Sequence, residues 1–191
     1  MSTFDDLKDC PSWPEDFAQR YRQAGYWRDE TFGDLLRSAA QAFAEREALT
    51  EGEQHLSYRQ LDLRVDQLAA GLYRLGLRAG DNVVLQLPNS AAFVEVCFAL
   101  YRLGVRPIFA LPAHRHLEIG RFCEFARARA YFCADRDASF DYRAMARDLK
   151  DRNPQLEWVV VAGEAEEFTA LHSLYEPAPA RTSVSYTHLR A

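Results

Sequence analysis

Two histidines and an acid, His114, His116 and Glu118, have side chains that could ligate a metal ion. Side chains two positions apart share a face only in an extended segment, and this one lies between Pro112 and the start of a helix. No further ligand follows at a spacing typical of zinc sites. We therefore expect no metal site here, and we expect the two histidines to pack against neighbouring backbone.

Glu95 and Cys97 are the other candidates for chemistry, and both lie in a predicted helix that is apolar almost all round. A thiol in such a run is poorly placed to ionise. A carboxylate there must be paired or must reach solvent. Arg102 lies seven residues from Glu95 on the same helix face, beyond direct reach, so we expect Glu95 to have a structural partner from another element.

Sequence motifs for nucleotide binding and for hydrolysis are absent. The sequence contains neither G-x-x-x-x-G-K-[ST] nor G-x-G-x-x-G, and it has no G-x-S-x-G nucleophile turn. These residue patterns predict a fold but no reaction. From them we assign no catalytic, cofactor-binding or metal-ligating residue.

The chain is organised around a predicted β-α-β unit at 81–107. An aliphatic strand over 83–87 is followed by a helix capped at Asn89 or Ser90, and a second strand covers 105–111. Strands joined by such a crossover run parallel. We expect this unit to form the centre of the sheet.

Helices and strands alternate on both sides of that unit. Thr31 caps a helix whose predicted inward face is Leu35, Leu36, Ala39 and Phe43, and Ser57 opens a capping box. Strands are predicted at 130–134 and 157–162, and the pattern weakens from Gly163 on. The alternation predicts an α/β fold with a largely parallel sheet flanked by helices.

The N-terminal thirty residues have a different pattern. Trp13, Phe17 and Tyr21 recur every four residues, which predicts one aromatic stripe on a helix. We interpret 1–30 as an N-terminal helical arm packed on the main body and 31–183 as one α/β subdomain.

Composition and charge exclude several classes of protein. The formal net charge is −5 and no run of four basic residues occurs, so we expect no nucleic-acid or anionic-membrane partner. The first ten residues lack the features of a signal peptide, and the apolar helix at 90–103 is too short to span a bilayer. The four cysteines form no C-x-x-C pair, as is typical of a reduced, cytoplasmic protein.

Four short motifs carry a resemblance to a known family. They are WPEDFA with GYW at 13–27, LSYRQL at 56–61, QLPNS at 86–90 and ALPAHR at 110–115. Together they resemble the aryl-acid adenylating enzymes of siderophore synthesis, within the superfamily of acyl-CoA synthetases, adenylation domains and luciferases. The resemblance covers about residues 12–181. SYRQL and LPNS are shared across the superfamily, whereas the arm and ALPAHR are more specific to the aryl branch.

The resemblance implies an ATP- and Mg²⁺-dependent ligase. Such enzymes join an aryl acid, 2,3-dihydroxybenzoate or salicylate, to AMP and then pass the aryl group to the phosphopantetheine thiol of an aryl carrier protein. Their phosphate loop, nucleotide pocket and C-terminal lysine have no counterpart in this sequence. The resemblance therefore implies that 31–183 is a truncated N-terminal subdomain, inactive by itself and binding no cofactor, and no catalytic or ATP-binding residue is carried over.

One loop can be related to the acceptor. In CoA-using relatives the loop matching 112–116 can carry a basic residue that meets the nucleotide end of CoA, and here that position aligns with Ala113. This favours a protein-borne pantetheine, with His114 and Arg115 near its entrance. An aryl- or acyl-CoA ligase is the enzymatic alternative, and a stand-alone α/β binding module without catalysis is the other.

The final residues, VSYTHLRA at 184–191, have two interpretations. They alternate as a strand would. They also resemble a translated frame of a common transposase sequencing adapter, and we interpret them as a library artefact.

Overall fold

The structure, a computed structural model, describes residues 11–28, 30–137 and 140–175. Within these residues the helices are α1 (Glu15–Gln23), α2 (Phe32–Ala42), α3 (Tyr58–Leu75), α4 (Ala91–Arg102), α5 (His116–Phe125) and α6 (Tyr142–Arg152), with a 3₁₀ helix over Leu171–Tyr175. The strands are β1 (Glu47–Glu51), β2 (Gln54–Ser57), β3 (Asn82–Gln86), β4 (Arg106–Phe109), β5 (Ala130–Ala134), β6 (Arg136–Asp137), β7 (Phe140–Asp141), β8 (Trp158–Ala162) and β9 (Thr169–Ala170). The interpretation of 184–191 lies outside the described residues.

A parallel sheet with the strand order β4-β3-β5-β8-β9 forms the middle of the molecule, and this confirms the predicted α/β fold. The expectation that the β3-α4-β4 unit is central was wrong. β4 lies at the edge of the described sheet, and β5 takes the central position. β5 and β8 lie on the side of β3 away from β4. The expectation failed because an apolar strand pattern indicates that a strand is buried but not which strands are its neighbours in the sheet.

Helices cover both faces of this sheet. Val83 and Leu85 of β3 pack with α2, α3 and α4, whereas Val84 packs with α5 and α6. The alternation continues in β5, where Phe132 faces the first layer and Tyr131 the second. Successive strand residues point to opposite faces, so continuous apolar runs are what a sheet covered on both sides requires.

Local signals at the helix ends agree with the sequence predictions. The Thr31 and Ser57 side chains each accept from the third helical N–H in a capping box, and Ser90 accepts from Phe93 N. Gly76 ends α3 with φ +115°, a left-handed conformation that glycine adopts without steric cost.

The predicted inward face of α2 was only partly correct. Leu36 is buried, but Leu35 and Phe43 are 45% and 47% exposed. α2 packs on α3 and α4, and Gly33 makes the close approach, because a Cβ there would lie 3.3 Å from Arg102 Cα. The contact face is therefore rotated toward Gly33 and Leu36.

The aromatic stripe formed by Trp13 and residues of α1 packs within itself and against Trp27. Trp13 and Tyr21 lie 6.3 Å apart between ring centroids, and Trp27 lies 5.6 Å from Trp13 and 5.5 Å from Tyr21. Trp13 remains 63% exposed, while Ala18 is the buried residue of this helix. The division between arm and subdomain at residue 30 stays a prediction.

Candidate functional site

The 111–115 loop joins β4 to α5 at the carboxyl edge of the parallel sheet. In open α/β sheets, ligands bind at this edge, outside the carboxyl ends of the strands. Leu111 and Ala113 are exposed there, whereas His114 and Arg115 are half-buried. The 111–115 loop overlaps the loop over 112–116 that the resemblance related to the acceptor, of which His116 begins α5.

Side chains from other elements hold the backbone of this loop. The Gln86 amide donates to the carbonyl oxygens of Leu111 at 2.8 Å and of His114 at 3.0 Å. The Tyr142 hydroxyl donates to Pro112 O at 2.8 Å. Neither residue was predicted from the sequence to be part of a site.

His114 and Arg115 also bond within the loop. His114 Nδ1 accepts from Leu111 N at 3.2 Å, and its ring packs edge-on against Phe122. The Arg115 guanidinium lies 4.0 Å from the centroid of the Phe140 ring and donates to Pro112 O and, at 2.8 Å, to His114 O. Both side chains therefore shape the loop, and their role at an acceptor entrance stays a prediction.

The three side chains considered for a metal site go to separate partners. Glu118 accepts from Arg115 N at 3.0 Å at the start of α5, and this bond lowers the pKa of its carboxyl group. His116 Nε2 lies 4.0 Å from Asp148 Oδ2, while His114 bonds to the loop. In the part of the chain that the structure describes, no group of three or more His, Cys, Asp and Glu side chains could hold a metal ion.

Glu95 has its structural partner on another element, as predicted. Its carboxylate, 1% exposed, accepts from Arg64 Nε at 2.6 Å and from Arg64 Nη2 at 3.2 Å. The Tyr175 hydroxyl donates to the same carboxylate. The hydrogen bond to Glu95 raises the pKa of Arg64, and burial raises the pKa of Tyr175. The cluster ties α3, α4 and the 3₁₀ helix together.

Arg102 ties the same helices at a second point. Its guanidinium bonds to Asp62 Oδ1 and Asp66 Oδ1 of α3, each at 2.6 Å, and to Gly33 O of α2 at 3.4 Å. The side chain is almost fully buried, so this pairing offsets the cost of removing a charge from water. Both charged residues of α4 thus form ion pairs with α3.

The N-terminus of α4 is a potential phosphate site because free N–H groups and the helix dipole meet there. Here Glu51 Oε2 from β1 accepts from Ala91 N at 3.0 Å, and Ser90 Oγ accepts from Phe93 N at 3.2 Å. The adjoining open cavity, of about 390 Å³, is lined by Leu49 among other residues. A phosphate group would meet the Glu51 carboxylate, so this site does not fit ATP.

The buried thiols are unsuited to nucleophilic chemistry. Burial raises the pKa of Cys123 and of Cys133 to about 12, and it also raises the pKa of Cys97. A thiolate is the nucleophilic form of cysteine. All three thiols are therefore protonated at neutral pH, with Cys123 and Cys133 in the core and Cys97 partly buried beside it.

Residues 36–185 match the family model described as AMP-binding enzyme. The chain belongs to this AMP-binding enzyme family. The chain is 52% identical over 169 residues to the 2,3-dihydroxybenzoate-AMP ligase of Bacillus subtilis, and the match covers 88% of this chain and 31% of that enzyme. It is also 41% identical over 163 residues to the salicyl-AMP ligase / salicyl-S-ArCP synthetase of Mycobacterium tuberculosis, covering 83% of this chain and 29% of that protein.

Solved structures of relatives show the same architecture. The apo structure of MbtA from Mycobacterium smegmatis superposes with a TM-score of 0.81 and 38% identity, over 88% of this chain and 31% of that one. The chain thus spans about a third of the length of the curated relatives it matches. In its described part, no helix is both long enough and apolar enough to cross a membrane.

Proposed function

We propose that this chain is part of an ATP-dependent aryl-acid adenylating ligase of siderophore synthesis. The observation that carries the proposal is the 52% identity to a 2,3-dihydroxybenzoate-AMP ligase over nearly all of the chain. In the proposed reaction, an aryl carboxylate oxygen bonds to the α-phosphorus of ATP, with Mg²⁺ as the metal, and pyrophosphate leaves. The acceptor thiol then attacks the aryl carbonyl carbon and AMP leaves.

The described residues supply a scaffold and an acceptor loop. The Glu51 carboxylate occupies the N-terminus of α4, so that helix end does not suit a phosphate group, and we assign the nucleotide contacts to the remainder of the proposed enzyme. Ala113 is exposed in the 111–115 loop and offers no cation to the nucleotide end of CoA. This supports a phosphopantetheinyl carrier protein as acceptor, entering beside His114 and Arg115. Because ATP is a substrate, the proposed location is the cytoplasm.

A CoA acceptor is the second candidate. A relative named salicylyl-CoA synthase / salicylate adenylyltransferase, from Streptomyces, is 38% identical over 168 residues. The lower identity and the absence of a basic residue at 113 favour the carrier protein.

The test uses the full-length enzyme that contains this chain. We expect ATP–pyrophosphate exchange that depends on 2,3-dihydroxybenzoate or salicylate, with benzoate much weaker, and aryl loading of a phosphopantetheinylated aryl carrier protein in preference to CoA. Residues 11–175 alone serve as the control and should give no exchange. Exchange driven by aliphatic acids, or preferential aryl-CoA formation, would overturn the assignment.

A further inference from the structure

We propose that Gln86 is a positioning residue for aryl transfer, because it holds the 111–115 loop in the shape that the acceptor arm meets. The inference rests on the proposed function and names a residue outside the loop as part of its machinery. The juxtaposition behind it is a buried amide at the end of β3 bonded to two carbonyl groups of an exposed loop.

The two N–H groups of the Gln86 amide both bond to the 111–115 loop. The amide nitrogen has these two donors alone, and they go to Leu111 O and His114 O. The amide oxygen accepts from the buried Tyr131 hydroxyl. A buried polar group that lost these bonds would be left unsatisfied, which costs more than the bonds contribute while they are made.

Other side chains fix the intervening carbonyl group. Pro112 O receives the Tyr142 hydroxyl at 2.8 Å and a bond from Arg115. Tyr142 is itself buried on α6, so the loop is tied to both a strand and a helix. Surface loops ordinarily satisfy their carbonyl groups with water. Here protein donors do so, which fixes the loop's geometry while Ala113 stays exposed.

The position of the loop should matter in one half-reaction only. If the acceptor arm enters past Ala113, a shift of the loop changes the surface that the arm contacts, so the carrier protein binds less tightly and its KM in the transfer step rises. In the proposed reaction, aryl-adenylate formation precedes acceptor entry, so we expect it not to depend on the loop. The signature of a positioning role is therefore a loss confined to transfer.

The experiment compares Gln86→Met and Tyr142→Phe with the unmodified full-length enzyme. Methionine fills the glutamine volume without its polar atoms, and phenylalanine removes only the hydroxyl group. We expect the KM for the carrier protein to rise about tenfold in Gln86→Met, corresponding to the loss of one to two net hydrogen bonds, and about threefold in Tyr142→Phe. Aryl-acid-dependent pyrophosphate exchange should stay within about twofold in both.

Asn82→Ala is the matched control. Asn82 lies at the opposite end of the same strand, and its amide nitrogen donates to Ala126 O at 2.7 Å. This variant loses a comparable amide-to-backbone bond at the other edge of the sheet, and we expect an unchanged KM for the carrier protein.

The outcomes separate this inference from the proposed function. If the unmodified enzyme forms no aryl-adenylate, both fall. If it adenylates and transfers normally but Gln86→Met and Tyr142→Phe leave the KM for the carrier protein unchanged, only the inference falls. Equal losses in exchange and transfer in the milder Tyr142→Phe variant would indicate general destabilisation, and that result also overturns it.

Discussion

Removing Arg64 should destabilise the fold more than neutralising its buried partner Glu95. The Glu95 carboxylate is 1% exposed, whereas the Arg64 side chain is 41% exposed. In Arg64→Met the buried carboxylate keeps, among the residues that the structure describes, the bond from Tyr175 alone. Leaving one member of a buried ion pair uncompensated costs about 3 kcal/mol of unfolding free energy.

Glu95→Gln has a smaller cost because the guanidinium of Arg64 can turn toward water. The glutamine oxygen still accepts one hydrogen bond, so we expect a loss of about 1 kcal/mol. The double variant no longer contains a buried charge and should also lose about 1 kcal/mol, well short of the sum of the single losses, about 4 kcal/mol.

Urea unfolding monitored by circular dichroism measures all three variants against the unmodified chain. Equal midpoint-derived losses for the two single variants, or a double variant whose loss equals their sum, would refute the view that uncompensated charge dominates this cluster. Tyr175→Phe is the control for the hydroxyl group alone, with an expected loss of about 1 kcal/mol.

The remaining predictions concern glycine packing and thiol ionisation. A Cβ at Gly71 would lie 2.0 Å from Leu174 O, so Gly71→Ala should lower the melting temperature and cost about 3 kcal/mol, whereas Gly120→Ala, with only an ordinary 3.6 Å contact, should stabilise its helix by up to about 1 kcal/mol. A reversed order would contradict this packing. Cys123 and Cys133 keep their protons in the folded state up to a pKa of about 12 but lose them near pH 8.5 when unfolded, so the free energy of unfolding should fall by about 2 kcal/mol per thiol between pH 8.5 and 10. Urea titrations at both pH values measure the fall, which should be shallower in Cys133→Ala; an identical slope in that variant would exclude the thiol as a cause.

Local features of the fold could be predicted from the sequence because their causes are local. The Ser57 capping box and the left-handed Gly76 depend on residues within one turn, and the structure has both. The expectation that Glu95 needs a partner was also confirmed, since it follows from the cost of burying any unpaired charge. The partner itself, Arg64, lies 31 positions away in the sequence, so it could not be predicted.

The order of strands within the sheet and the shortest elements were not predicted. The order of β3 and β5 in the sheet, the short β6–β7 hairpin and the 3₁₀ helix after β9 have no periodic signal in the sequence. The 111–115 loop was identified by resemblance, whereas its supports were not. Gln86 left one usable signal, a single amide in the otherwise apolar run VVLQL. Such a group must find partners, but only the fold shows that they lie in the loop after the neighbouring strand.

Buried polar side chains in this chain serve two purposes, and the difference decides how their loss would be seen. Glu95 joins helices of one layer, so Glu95→Gln acts only through the amount of folded enzyme, and any change it causes alters adenylation and transfer by the same factor. Gln86 sits in an apolar strand and bonds to an exposed loop, so its loss moves the loop and removes one partner of the buried Tyr131 hydroxyl, without breaking a contact between helices. The ratio of transfer to adenylation cancels the amount of folded enzyme. That ratio should therefore remain constant in Glu95→Gln at any temperature below melting, and it should fall in Gln86→Met. A fall of equal size in both variants would show that the loop is no more sensitive than the helices and sheet that support it.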